Sequence, residues 1–408
     1  MSNVVVMKFG GTSVADADCI RRAARRAIQR KQDGQDVVMV VSAMGKTTDS
    51  LISLAGEISE DPPKREMDML LTTGEQVSIS LMAMAIHNFG QEAISLTGGQ
   101  IGLLTDRAHS KARIQKIDDQ RLRSELAAGK IVIVAGFQGI DEAGEITTLG
   151  RGASDTTAVA LAAVLGAEFC EIYTDVDGVY TADPRLIPNA CMLKQISYDE
   201  MLEMASLGAG VMASRAVEFG KKYNVKIHVR SSFSNNTGTW ITQEAENMEQ
   251  IVVSGATLMK NLAQFDLRGV SNVPGVVARI FQQLATHNVI VDDIIQTAEE
   301  DGKASCSFTA GEPDAKAAQL ALEELKKDGI ITEIQYKAPV AKVSVVGVGM
   351  RSHTGVAQKM FAALGEAKVN INSITTSEIK ISCLIDTDQA QQALQVVHDA
   401  FELSSVES

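Results

Sequence analysis

Six short, nearly unbroken apolar runs punctuate the first 235 positions: Val4–Phe9, Val37–Ser42, Glu92–Thr97, Ile131–Phe137, Phe169–Thr174 and Val225–Arg230. A strand with one wet face alternates apolar and polar residues. Most of these runs do not, so they read as strands buried on both faces. Helix-like segments such as Asp16–Gln32, Glu75–Phe89 and Asp155–Leu165 lie between them. Repeated strand-then-helix order predicts an α/β domain with a mostly parallel sheet. Such sheets hold ligands beyond the carboxyl ends of their strands, so function is to be sought in the loops that follow strands.

The texture changes after the turn-rich Asn235-Asn236-Thr237-Gly238. Beyond it the chain repeats itself with an offset of 80 residues. Gly275-Val276 matches Gly355-Val356, and Phe281, Leu284, Val289, Val291 and Ile294 match Phe361, Leu364, Val369, Ile371 and Ile374. Each copy reads as strand, glycine turn, amphipathic helix, strand, so the C-terminal part holds two related α+β modules.

Charge and cysteine use exclude several functions. The 408 residues carry a formal charge of −13, which disfavours broad nucleic-acid binding but leaves room for a local basic pocket. No apolar run approaches the roughly 18 residues of a membrane helix, and the first residues lack a signal peptide's basic region and long apolar stretch, so none is expected. A soluble cytoplasmic protein is expected. The five cysteines are scattered without a Cys-x-x-Cys pair, and the six histidines show no metal-binding spacing. Neither a disulfide framework nor a histidine or cysteine metal site is expected.

Five segments carry candidate chemistry. Lys8-Phe9-Gly10-Gly11-Thr12-Ser13 follows the first strand. Its glycines allow close backbone approach, its N–H groups suit an anion, and Lys8 adds a point charge. It lacks the Walker A spacing. Gly150-Arg151-Gly152-Ala153-Ser154-Asp155 precedes an apolar helix and offers an arginine for a carboxylate. Tyr173-Thr174-Asp175-Val176-Asp177-Gly178-Val179-Tyr180 leads to Asp183-Pro184-Arg185, an acidic loop without EF-hand spacing. Ser42–Asp49 follows the second strand, and Thr72-Thr73-Gly74-Glu75 is read as opening a helix. No histidine or cysteine recurs among them, so acyl-transfer triads have no candidate. Phosphoryl transfer, which needs positioning and charge stabilisation, fits: an ATP-using kinase acting on a small anionic acceptor.

In order, Lys8–Ser13, Ser42–Asp49, Thr73–Glu75, Arg151–Thr157 and Tyr173–Arg185 resemble the signatures of the aspartate kinases within the amino-acid kinase family. The repeated modules resemble that family's tandem ACT domains, with Val273-Pro274-Gly275 as the first ACT turn. The resemblance covers essentially the whole chain. It implies an amino-acid kinase fold, a mostly parallel open sheet sandwiched by helices, followed by two ferredoxin-like ACT domains. The expected boundaries are 1–245, 264–338 and 339–408, with residues about 249–263 lending a strand to the ACT part.

The resemblance also implies phosphorylation of L-aspartate by ATP with Mg²⁺. Lys8 and Asp155 would be catalytic. Ser42, Thr48, Glu75, Arg151 and Ser154 would hold aspartate. Lys8, Phe9, Gly10, Gly11, Thr174, Asp175, Tyr180, Asp183 and Arg185 would hold ATP, and no protein-only metal site is implied. Effector lysine or threonine would meet Asn272, Val273, Pro274, Gly275, Val276, Asp292 and Gln296 in the first module. Ser352, His353, Thr354, Gly355, Asn370, Asn372 and Thr375 would complete that pocket from the second. A homodimer, or a tetramer with a shorter regulatory chain started at Met248, is the implied assembly, with no nucleic-acid or membrane partner. Two positions depart from the family pattern: Ala153 replaces a glycine, and Gly210 replaces a nucleotide-contacting lysine. The alternatives are another amino-acid kinase, acting on glutamate, N-acetylglutamate or uridylate, and, suggested only by those two departures, a catalytically weak amino-acid sensor.

Overall fold

A computed structural model describes residues 3–150, 152–243, 252–299 and 302–405. The chain forms two compact units. The first contains residues up to Thr181 and resumes at Cys191; the second contains Ala182–Ala190 and the C-terminal modules.

In the first unit, β1 (Val4–Phe9), α1 (Ala17–Gln32), β2 (Asp36–Val41), α2 (Thr47–Ile58), α3 (Lys64–Asn88) and β3 (Ala93–Leu96) follow one another. Next come β4 (Leu103–Thr105), β5 (Ile114–Ile117), α4 (Gln120–Ala127), β6 (Ile131–Ala135), β7 (Gln138–Ile140) and β8 (Ile146–Thr148). Then come α5 (Ala153–Leu165), β9 (Phe169–Thr174), β10 (Gln195–Ser197), α6 (Tyr198–Ser206), α7 (Ser214–Tyr223), β11 (Lys226–Ser231) and β12 (Thr239–Thr242). The main sheet has the order β10-β12-β11-β9-β1-β2-β6-β3. From β11 to β3 every pairing is parallel, and β12 runs antiparallel to β11.

The six apolar runs thus become the parallel strands of one sheet. On one face, Val5, Met7 and Phe9 pack with Ile20, Ala24 and Ala27 of α1 and Ile79, Met82 and Ile86 of α3. On the other lies α5, whose residues 153–162 are all buried. A helix covered on every side needs no polar stripe, which is why its sequence shows none.

Three differences from the sequence expectation have local causes. The helix expected to open at Thr72 begins at Lys64, so Thr72–Glu75 sit mid-helix. The two threonines do not cap; their hydroxyls donate back to the Met69 and Leu70 carbonyls. This helix is also long and apolar enough, by length and composition alone, to cross a bilayer, but its buried face packs on the sheet. A small sheet, β5-β4-β7-β8, was not anticipated because its strands are only three or four residues long. The strand expected within residues about 249–263 begins at Gly255 and runs on to Ser271; Ile251 and Met248 lie outside the described residues.

In the second unit, β13 (Gly255–Ser271), α8 (Val276–Thr286), β14 (Val291–Ala298), β15 (Lys303–Gly311), α9 (Ala315–Lys327) and β16 (Glu333–Val346) are followed by α10 (Val356–Glu366), β17 (Ser373–Thr376), β18 (Lys380–Asp386) and α11 (Ala390–Ala400). They form one six-stranded sheet, β14-β15-β13-β16-β18-β17. The internal repeat is visible in its geometry. Gly275 and Gly355 precede α8 and α10 with φ of 93° and 89°, and Leu284, Leu364, Val289 and Val369 are all buried. The long central strands β13 and β16 run through both modules. Gly255–Met259 pairs with Lys342–Val346, and Gln264–Arg268 pairs with Glu333–Lys337.

Candidate active site

The site gathers at the carboxyl ends of β1, β2 and β9. Lys8 is the penultimate residue of β1, and its Nζ lies 2.6 Å from Asp155 Oδ1 in the first turn of α5. Both side chains are nearly buried, at 12% and 9% exposure. A Cβ on Gly10 would stand 3.4 Å from that Nζ, an ordinary contact distance, so the glycine loop passes directly beside the ammonium. Gly10 N–H donates to the Tyr173 carbonyl at 3.2 Å, closing the turn onto β9.

The second loop is tied to the first. Ser42 N–H donates to Phe9 O at 3.1 Å, and Gly45 N–H donates to Gly11 O at 3.0 Å. A Cβ on Gly11 would lie 2.9 Å from the Ala43 carbonyl, so only glycine lets these loops meet. Thr48 stands half-buried in the first turn of α2.

Glu75 reaches this place from the middle of α3. It is 3% exposed; Oε1 accepts the Ala43 N–H at 3.2 Å, and Oε2 has no partner among the described residues. Burial pushes its carboxyl up to about 7, partly countered by that N–H. A buried carboxyl oxygen without a donor is free to accept from a ligand.

The α5 start is set by Gly152, whose φ of 72° suits glycine; a Cβ there would also meet Ala213 Cβ at 2.8 Å. Ala153, by contrast, is the first helical residue and is not among the left-handed positions. It is 3% exposed and packs with Ala112 and Leu149. The alanine therefore carries no backbone strain. Ser154 is buried beside Gly136, where any Cβ would come within 2.5 Å of the Ser154 hydroxyl oxygen. Arg151 lies outside the described residues. At Gly210 a Cβ would meet nothing within 4 Å, so a longer side chain has room.

Further along β9, the Thr174 hydroxyl donates to Asp175 at 3.1 Å, and Tyr180 is half-buried. Asp177 accepts from Ser234 and Asn236, which orders the acidic loop. Asp183 and Arg185 pair with each other at 2.8 Å within Ala182–Ala190, the segment belonging to the second unit.

In the second unit, the expected effector residues fall into separate groups. Asn272–Gly275 form an exposed turn, and Ser352–Gly355 its repeat equivalent, where His353 Nδ1 is 2.8 Å from Gly349 O. Gln296 is exposed on β14, Asn370 is exposed, and Asn372 donates to Asp386 at 2.8 Å. Asp292 is already engaged: Lys342 Nζ is 2.7 Å from both Asp292 and Asp293. Lys342 is 2% exposed, and although burial opposes its charge, the two carboxylates hold it above the ordinary lysine value. Thr375 donates to Asp293 at 2.9 Å, linking β17 to β14. The cavity lined by Asp293, Thr309, Lys342 and Thr375 holds only about 10 Å³, room for about one water.

Sequence reasoning missed one buried cluster. Asp68, fully buried on α3, accepts from Ser110 N–H at 3.0 Å, Thr148 Oγ1 at 2.6 Å and His109 Nδ1 at 2.7 Å. It anchors the loop whose Ser110 carbonyl lies beside Gly150. Its signal was available: Asp68 and Glu75 are seven residues apart, on one face of a helix whose other inward residues are mostly apolar.

The fold and this constellation define a phosphotransferase, and the chain belongs to the amino acid kinase family, which matches residues 3–231. An ACT domain matches residues 343–401. Within the family, its similar relatives are aspartate kinases. Aspartokinase 2 of Bacillus subtilis is 50% identical over 401 residues, and the aspartate kinase of Pseudomonas putida is 47% identical over 403, each covering 98% of both chains. Among solved structures, Escherichia coli aspartokinase III in complex with aspartate and ADP aligns with a TM-score of 0.83 at 26% identity, over 97% of this chain and 99% of that one. The same enzyme with lysine and aspartate aligns at 0.78 and 26% identity, over 98% and 100%.

Proposed function

We infer that this protein is an aspartate kinase, transferring the γ-phosphoryl group of ATP to the side-chain carboxylate of L-aspartate, with ADP and 4-phospho-L-aspartate as products. The observation that carries the reading is the buried Lys8–Asp155 pair at the mouth of the glycine loop, with Glu75 of α3 bonded to the second loop, which is itself hydrogen-bonded to the first.

The acceptor carboxylate is already an anion, so the reaction needs no strong base. Its obstacle is repulsion between two anions, and fixed positive charge lowers it. Lys8 stabilises charge on the transferring group, and Asp155 keeps the Lys8 ammonium aimed. Gly10 and Gly11, with Phe9 behind them, let the phosphates approach the backbone. Glu75 takes the aspartate ammonium with its unpartnered oxygen. Ser42, Thr48 and Ser154 bond the substrate's polar atoms, and Arg151 takes a carboxylate. Thr174, Asp175 and Tyr180 line the nucleotide, and Asp183 and Arg185 belong to the same sequence motif. Among the described residues no group of three His, Cys, Asp or Glu could cage a metal. That donor set suits Mg²⁺ carried by nucleotide phosphates and water, where it would screen phosphate charge.

The ACT modules make the enzyme responsive to an end-product amino acid, lysine or threonine, in an oligomer. Hydroxamate trapping with ATP and Mg²⁺ tests the whole reading. Turnover with L-aspartate but not L-glutamate, depressed by lysine or threonine, is the expected result. Absence of turnover from folded protein would overturn the kinase reading. Turnover indifferent to both amino acids would overturn the regulatory one.

A further inference from the structure

A second charged site lies on the opposite face of the main sheet. Successive residues of a strand point to opposite faces, so Lys8 faces α5 while Phe9 packs toward α1. Tyr173 of β9 stacks on Phe9 with ring centroids 4.8 Å apart, and Arg230 of β11 is its register partner. On this α1 side a cleft of about 620 Å³ is lined by five arginines: Arg22, Arg25, Arg26, Arg30 and Arg230.

Their charge is not balanced locally. The cleft contains one carboxylate, Asp33, and below it is the fully buried Glu171, which is shared by Arg30 and Arg230. Asp33 accepts instead from Gln29 at 2.9 Å. Arg26 donates to the Ser234 carbonyl at 2.6 Å and lies over the Tyr173 ring; Arg22 and Arg25 lie over Phe233 and Phe89. Among the described residues, none of these three forms an ion pair. Arg22, Arg26 and Arg30 are also spaced four apart along α1, where like charges repel. A chain with a formal charge of −13 has nonetheless concentrated five guanidiniums in one concavity, where Glu171 pairs with two of them and Asp16 and Asp33 act on Arg22 and Arg30 only through space. The volume falls within the roughly 300–1,000 Å³ of small-molecule sites, which argues against a flat docking patch.

We propose that this cleft binds a small phosphate-bearing anion with at least two negative charges, at a site separate from the Lys8–Asp155 centre. The planar forks of Arg22, Arg25 and Arg26 match phosphate oxygens, which accept paired donors and carry the charge the cleft lacks.

Calorimetric titration of the full chain with inorganic tripolyphosphate, at about 0.15 M salt where diffuse attraction is screened, tests this. The arms are wild type, Arg22→Glu/Arg25→Glu, the milder Arg22→Gln/Arg25→Gln, and Lys8→Ala. Kinase turnover and the melting curve report whether the arginine variants are folded. One saturable equivalent per chain is expected to survive in Lys8→Ala and to weaken about tenfold or more in both arginine variants. Binding that is unchanged in the folded arginine variants, or abolished in Lys8→Ala alone, would overturn the proposal. Binding without fixed stoichiometry would equally overturn it.

Discussion

Substitution of Glu75 by Gln separates the cost of a buried carboxylate from its use. The group is 3% exposed, and among the described residues one of its oxygens has no donor. Its carboxyl is raised from 4.5 to about 7 by burial. At roughly 1.4 kcal/mol per tenfold change, that is about 3 kcal/mol against the ionised form. The folded state holds this proton more tightly than the unfolded one, so Glu75 costs nothing below pH 4.5. Its destabilisation grows as pH rises toward 7 and is complete above it. Glu75→Gln is therefore expected to melt like wild type at pH 4.5 and several degrees higher at pH 8, without ligand. Aspartate binding should reverse the balance, because an ammonium group beside Oε2 favours the charged carboxylate. At pH 6 about nine-tenths of the sites are protonated. Calorimetry in buffers of different ionisation enthalpy should then show release of nearly one proton per aspartate bound, falling toward zero at pH 8. Glu75→Gln should release none and bind aspartate at least about tenfold more weakly. Equal binding enthalpies across buffers at pH 6, with wild-type aspartate affinity in Glu75→Gln, would refute the pairing of Glu75 with the ammonium.

Lys8→Ala should lower kcat about 100-fold or more, as loss of a charge stabiliser at a transferring phosphoryl group does; a loss under threefold in steady-state assays would remove Lys8 from the chemistry. Ala153→Gly should destabilise by about 1–2 kcal/mol, from helix propensity and a buried methyl, without raising kcat/KM; denaturant melts and kinetics decide it. Gly210→Lys should lower KM for ATP with Tm unchanged, since the position is open. Lys342→Met should destabilise the second unit by about 3–5 kcal/mol, because Asp293, 10% exposed, loses its counter-charge, and adding Asp293→Asn should recover part of it in urea melts.

The strands carrying the site were readable because burial on both faces writes itself as short, mostly apolar runs without a polar face. Val4–Phe9 and Phe169–Thr174 coincide with β1 and β9. The start of α3 was not readable, since Thr72 and Thr73 have the composition of a cap and only the tertiary burial of Glu75 shows that they continue a helix. Ala153 looked like a departure from a glycine because sequence shows a residue type and not its φ; the left-handed turn falls one residue earlier, at Gly152. The Lys8–Asp155 contact joins residues 147 apart in sequence, and only the packing of α5 on β1 brings them together. The arginine stripe of α1 was overlooked because each arginine alone is an ordinary solvated residue. Its meaning comes from Arg230 and Phe233, which the sheet delivers from two hundred residues away.

The shared strands β13 and β16 determine how this gene can be cut. The residues that complete the last module's sheet, Gly255–Met259, are synthesised before the first module's own strands. A stop codon near residue 339 would strand them as a bare, hydrogen-bond-hungry edge and invite aggregation. A fragment beginning at 339 would lack its central neighbour and seek one from another chain. The two modules therefore form one indivisible folding unit, to be kept whole in any truncation.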